Sequence, residues 1–318
     1  MLDFAWSEGA ARVLRTLPFL AIRVAVYFGI AAAFVVAAGG GAGIGWAIGA
    51  IGGLAGRAPG AFWGTVGGLA FIGFILWWLR EYLLFLVEAA HVAAMVRDPA
   101  SAPSRFGQIG HSLSIVQQRF REMRSLLAAQ QLMHGTIGTL IDKADLPASL
   151  IGPGLPLPSA PANAILRHAL RFMSEVVLAR ALRSAAKNPW PELRDALVLL
   201  AQNQTVLLRK ATILAAIAYG LSFFVFLLAL MPAAALSASF PGTLGAATLL
   251  LAIVFTWTFK QALIEPLMIA QMIEEVSRAT RGQSPDTEWD TTLTKVSPQF
   301  REIKARAAPR ATRPPHYA

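Results

Sequence analysis

No cysteine occurs anywhere in the chain. That excludes a disulfide framework, a thiolate nucleophile and any cysteine-ligated metal. Charge is scarce too: Asp, Glu, Lys and Arg make up 14% of residues, where a soluble domain averages roughly 25%. The scarcity is concentrated, because Val24 to Gly56, Ala58 to Leu79 and Ala211 to Phe259 contain no charged residue at all. Catalytic patterns are missing: there is no Gly-rich phosphate loop, no H-E-x-x-H and no G-x-S-x-G, nor a nucleophile beside an evident base. No enzymatic activity, cofactor or metal site is therefore expected. The N-terminus lacks a basic stretch leading into a short apolar core and a small-residue cleavage site, so no cleaved signal peptide is expected.

What is present is apolar length. A helix crosses the hydrocarbon core with roughly 20 residues. The first two uncharged stretches suffice for one crossing each, and the third, of 49 residues, for two. The expected fold is an all-α membrane protein of two transmembrane hairpins with amphipathic interfacial or cytoplasmic helices. The net charge of +10 does not point to nucleic acid, because it is distributed as a topology signal. Residues 97–210 hold 14 Lys/Arg against 7 Asp/Glu, and the tail from Arg278 holds 8 against 4. The connectors between spans offer only Arg57. Positive residues stay cytoplasmic, so both termini and the middle segment are expected inside a bacterial inner membrane, with anionic lipid at that face.

Five segments follow. Residues 1–23 form an amphipathic interfacial helix, 24–97 the first hairpin with a helical extension, and 98–210 a basic helical segment. Residues 211–278 form the second hairpin with its extension, and 279–318 a cytoplasmic tail with a disordered end. Gly41, Gly45, Gly49, Gly52 and Gly56, answered by Gly60, Gly64 and Gly67, lie on one helical face each. Such smooth faces let two backbones approach in lipid, which assigns helix packing to Gly45, Gly49, Gly52, Gly56 and Gly64. The long first span is expected to tilt, to kink near Gly40, or to extend past the membrane. Ser104 to Met133 reads as one helix, Leu146 to Pro161 as a breaker-rich linker, and Asn163 as the cap of a further helix. Arginines on that further helix favour a place at the interface over a cytoplasmic bundle. Spans three and four are Ala211 to about Leu230 and Leu244 to Phe259, joined through Pro232 to Thr243.

The two hairpin exits align. Trp77 sits over Trp257, Arg80 over Lys260, Leu83 over Leu263, Ala90 over Ala270 and His91 over Gln271. This indicates an internal duplication about an axis along the membrane normal, with the functional site between the halves.

Ionisable groups near membrane depth are costly and mark function. Glu81, Glu88 and His91 fall within about 80° on one helical stripe. Glu88, His91, Lys260, Glu265 and Gln271 are the candidates for a substrate or ion path, with Pro266 kinking the helix behind Glu265. Glu88 and His91 have a carboxylate–imidazole spacing, but too few ligands accompany them to make a metal site. The competing reading pairs Glu88 with a basic residue such as Arg97.

The stretch Asn188-Pro-Trp-Pro-Glu-Leu-Arg-Asp-Ala-Leu-Val-Leu-Leu-Ala-Gln-Asn203 resembles an uncharacterised family of bacterial four-span integral membrane proteins, which implies no particular function. Within it, Arg194-Asp195-Ala196 and Leu199 to Asn203 resemble a segment before a late span in choline transporter-like proteins. That resemblance implies transport. The expected function is a small-solute or ion permease, or a channel-like homo-oligomer. The alternative is a non-transporting membrane organiser that binds anionic lipid or partner proteins.

Overall fold

In a computed structural model the chain is helical throughout the described residues, with no strand among them. The structure describes residues 4, 6–79, 84–96, 107–120, 123–143, 159–184, 186, 188–237 and 244–308. The chain divides into two compact units, Ala11–His91 with Ala216–Met268, and Met1–Ala10 with Val92–Ala215 and Ile269–Ala318.

The first of these, the apolar unit, is built around one long helix. Helix α1 (Trp6–Arg15) stops at Thr16, and α2 (Leu17–Gly49) carries Pro18 in its first turn, where it is tolerated because the missing N–H has no intrahelical partner. Residues 17–23, expected in the N-terminal segment, are thus the opening turns of α2. The helix runs without a break through Gly39, Gly40 and Gly41. A 3₁₀ turn (Ala50–Gly52) and Gly53, at φ +86°, reverse the chain into α3 (Leu54–Leu79). Only glycine holds that backbone without strain. The turn therefore precedes Arg57, expected in the connector, and Pro59; both lie inside α3.

Glycine accounts for the α2–α3 contact. A β-carbon on Gly45 would collide with the Gly60 carbonyl, one on Gly64 with that of Gly41, and one on Gly49 with that of Gly56. The register runs antiparallel, since rising numbers on α2 meet falling numbers on α3. Gly52 is the exception among the expected packing glycines: it sits in the 3₁₀ turn with open space around it. Helix α9 (Gln204–Ser237) continues past Pro232, so the expected connector begins later than proline content implied. Its Ala229 and Ala233 pack on Leu251 and Ala252 of α10 (Leu244–Phe259), with Val35 of α2 against the same cluster. A π-turn (Lys260–Ile264) then leads without a break into α11 (Glu265–Ala279).

Four helical stretches are long and apolar enough to cross a bilayer: Leu17–Gly52, Leu54–Trp77, Gln204–Ala235 and Thr248–Ala279. In the most apolar window of the second only 6% of residues are buried, which leaves most of its surface facing outward. An apolar surface of that extent needs lipid or another helix around it. The chain is a multi-pass membrane protein.

The second unit is a helical bundle with a buried apolar core. Helices α4 (Phe85–Met95), whose last turn enters this unit, α5 (Gly107–Arg119), α6 (Met123–Lys143), α7 (Ser159–Arg183) and α8 (Trp190–Gln202) are followed by α12 (Thr287–Val296) and α13 (Pro298–Ala307). Phe172, Met173, Met133, Ile137, Leu193, Leu197 and Phe300 are fully buried among them, each contributing about 1.5–3 kcal/mol of apolar transfer.

Several sequence expectations change here. The helix expected over Ser104 to Met133 is two, interrupted at Phe120, and the second runs on to Lys143. Helix α7 starts at Ser159, before Asn163, because Pro161 falls in a first turn that needs no N–H. It is buried on most sides, packed against α6 and α8. The tail is helical where no helix was expected. Asp286 caps α12 by accepting from the Glu288 N–H, and Ser297 caps α13 by accepting from the Phe300 N–H, with Pro298 as its first residue. Glu81, Arg97, the linker over 146–158 and the last residues from 309 lie outside the described residues.

Candidate functional site

Arg23 is the centre of the apolar unit. It lies on α2 in register with Phe19, Tyr27 and Ile30, the stripe that faces inward, and it is 1% exposed. Burying a guanidinium demands partners. One is Glu88 of α4, whose Oε1 lies 3.8 Å from Arg23 Nη2. Another is the Tyr27 ring, with the guanidinium carbon 5.7 Å from its centroid. A third is a backbone carbonyl, that of Gln261, which accepts from Arg23 Nη2 at 2.8 Å.

The Gln261 carbonyl is available for a reason written in the sequence. In the π-turn the Glu265 N–H donates to the Lys260 carbonyl, one residue further back than in an α-helix. The next donor in that register would be residue 266, a proline with no N–H. Gln261 is left without a helical donor, and a buried orphan carbonyl is costly. Arg23 supplies the missing hydrogen bond. Pro266 thus makes a docking point for Arg23 in addition to disturbing the helix behind Glu265.

His91 completes this region. It is fully buried, stacked on Phe19 at 5.6 Å between ring centroids, and its Nε2 lies 2.9 Å from Thr16 Oγ1. The Thr16 hydroxyl donates to the Val13 carbonyl at 3.0 Å. With its one hydrogen committed there, the imidazole Nε2–H donates to Thr16 and Nδ1 carries the lone pair. Helix α4 lies outside the four spans. Burial, then the nearby Arg23 guanidinium, hold the His91 pKa well below the ordinary histidine value. The ring is therefore neutral near pH 7.

Lys260 and Glu265 pair with each other across the π-turn, and the Lys260 ammonium lies 5.3 Å from the Tyr219 ring centroid. Glu265 is fully buried. Four of the five path candidates, Glu88, His91, Lys260 and Glu265, thus belong to the apolar unit. Gln271 belongs to the other unit, fully buried beside Gly9, where a β-carbon would strike its side-chain amide. In that unit Lys210 also pairs with the buried Glu275.

The sequence reading found no nucleophile beside a base, and the bundle brings one such pair together. Ser174 Oγ lies 3.2 Å from His134 Nε2, and the His134 Nδ1 is 3.0 Å from the Gln130 carbonyl. Ser174 is 1% exposed and its hydroxyl donates to the Arg171 carbonyl at 2.8 Å. That geometry ties α6 to α7 and presents no nucleophile to a substrate.

Arg23, Thr16 and Gln261 were missed as site residues. The signal for Arg23 was available: it is the last charge before 33 uncharged residues and shares a helical face with Phe19 and Tyr27. Among the described residues no cluster of three metal-ligating side chains occurs. Comparisons with protein families, with curated proteins and with solved structures give no match.

Proposed function

We propose that the protein is a permease for a small solute or ion, in which the buried polar residues of the apolar unit line the path. The observation that carries this reading is Arg23. A guanidinium 1% exposed, at the start of a membrane-crossing helix, is retained against a large desolvation cost, and charges in that position mark pathways. The pairs Arg23–Glu88 and Lys260–Glu265 hold the path closed, and transport requires them to open. The two halves are related by duplication as paired hairpins. Both termini and the basic bundle face the cytoplasm of a bacterial inner membrane, where anionic lipid meets the arginines.

A homo-oligomer supplies more wall than four spans can. Supporting it, a groove of about 840 Å³ runs along α2 and α3, floored by glycines and walled by Ile44, Ile48, Trp63 and Phe71. Helix association in lipid favours such small-residue surfaces.

The second reading is a membrane organiser that transports nothing. It is favoured by the ion pairing of both carboxylates, which is what a structural role requires. Solute and ion flux into proteoliposomes separates the two. Flux above that of protein-free vesicles supports the permease, and its absence alongside a co-purified lipid or partner protein supports the organiser. Reporter fusions after Lys187 and Arg301 should read cytoplasmic; a periplasmic signal at either position overturns the orientation.

A further inference from the structure

Aromatic residues of the apolar unit gather at one level. Gly41, Gly45 and Gly49 of α2 meet Gly64, Gly60 and Gly56 of α3, and the same antiparallel register brings Trp77 level with Phe28. The Tyr27 ring packs edge-on against Trp257 of α10, with 5.6 Å between centroids. Phe28, Trp77 and Trp257 are all exposed, Trp77 by 65%. Large rings exposed at a common level suit the boundary between acyl chains and headgroups, where Trp and Tyr collect.

Charge changes at the same level. Arg23 lies four residues before Tyr27 and Lys260 three residues after Trp257, which is about 6 Å and about 4.5 Å along the helices. Both fall within an interfacial layer of about 5–7 Å per leaflet. In the other direction α2 carries no further charge, and α3 none until Arg57, whose guanidinium carbon lies 4.7 Å from the Trp46 ring centroid. Tyr27 to Trp46 rises about 29 Å along α2, and Trp77 back to Arg57 about 30 Å along α3. Each length matches a hydrocarbon core of about 30 Å.

We infer that Phe28, Trp77 and Trp257, with Tyr27 behind them, form the ring at which the protein meets a phospholipid headgroup layer. Hydrocarbon covers α2 from this ring to Trp46, and Arg23 and Lys260 stand at headgroup depth. The surface holds whether or not the protein transports. Exposed apolar residues also occur past the ring, at Leu17 and Leu14. A core beginning at Leu17 would end near Ala37 and leave the exposed Ile44 outside it. The ring placement covers Ile44, Trp63 and Phe71 and leaves Leu14 and Leu17 outside the hydrocarbon.

The test is the depth of spin labels in proteoliposomes of phosphatidylcholine and phosphatidylglycerol. The chain has no cysteine, so one introduced thiol at a time takes the label, in Leu17→Cys, Ala21→Cys, Phe28→Cys, Val36→Cys and Ile44→Cys. All five positions are exposed, and the label displaces no packed neighbour. The readout is the ratio of collisions with oxygen, which concentrates in hydrocarbon, to collisions with a water-soluble nickel chelate. The ratio should peak at Val36→Cys, midway between Tyr27 and Trp46. It should fall severalfold at Phe28→Cys and further at Ala21→Cys, with Leu17→Cys open to nickel. A peak at Phe28→Cys, or nickel exclusion at Leu17→Cys as complete as at Val36→Cys, overturns the placement and puts Arg23 at hydrocarbon depth. Low access of both reagents at Val36→Cys also overturns it, because protein and not lipid then covers this face.

Discussion

Two helix pairs in the apolar unit solve the same packing problem in opposite ways. Helices α2 and α3 meet backbone to backbone, with Gly41, Gly45, Gly49, Gly60 and Gly64 leaving no room for a side chain. Helices α9 and α10 meet through side chains, Ala229 and Ala233 against Leu251 and Ala252, with Phe226 and Phe255 packed beside them. Backbone contact requires glycine at every crossing point and tolerates no substitute, whereas side-chain contact can repack. The proposed duplication therefore shares an order of elements without sharing an interface.

The largest expected effect comes from breaking the first pair. Gly45→Leu should abolish the α2–α3 contact, because the new side chain would occupy space held by the Gly60 carbonyl. Loss of folded yield in detergent checks this. The matching change in the second pair, Ala229→Leu, should be milder, at about 1–3 kcal/mol for overpacking a side-chain interface. Equal damage from both would erase the distinction between the pairs.

Next in size is the ion pair that anchors α4 to α2. Glu88→Gln leaves Arg23 buried without its counter-charge and should cost about 3–5 kcal/mol. Glu265→Gln should cost less, since the Lys260 side chain is 11% exposed and shorter of desolvation. Thermal melts of both variants rank them, and the reverse order would contradict the assignment of Arg23 as the central cation.

A smaller effect is expected from pH. His91 is neutral in the folded state because burial and Arg23 depress its pKa, whereas an unfolded histidine protonates near pH ~6.5. Below that value the unfolded chain binds a proton that the folded chain refuses. Stability should therefore fall as pH drops from about 6.5, by at most ~1.4 kcal/mol per pH unit from this group. His91→Phe should flatten the slope over pH 6.5 to 5, read by melting temperature. The smallest effect is Gly52→Ala, which meets open space at ordinary φ and should stabilise by about 0.4–1 kcal/mol. Gly49→Ala, three residues away on the contact face, should destabilise.

Most of the helical plan was legible in the sequence because hydrocarbon thickness and the absence of charge act locally. Val24 to Leu79 and Ala211 to Phe259 declare apolar helices without reference to anything distant. Helix ends were less legible, since Pro161 and Pro232 read as breakers, whereas Pro161 sits in the first turn of α7 and Pro232 inside α9. The site was half legible. Glu88, His91, Lys260 and Glu265 stood out as polar residues on apolar helices, but their partners did not. Arg23 and Gln261 are 238 residues apart. Their bond depends on a π-register that Pro266 alone does not specify. Helices α12 and α13 were missed because little apolar periodicity accompanies the caps at Asp286 and Ser297.

The central claim is that Arg23 and Glu88 act as one buried pair on which the polar cluster depends. A double-mutant cycle in melting free energy, using Arg23→Met, Glu88→Gln and both together, tests it directly. Each single variant should be strongly destabilised, and the double variant should be more stable than the sum of the two losses, by at least about 1 kcal/mol of coupling. Losses that simply add would contradict it, and the pair would then be two independent residues that happen to be near each other.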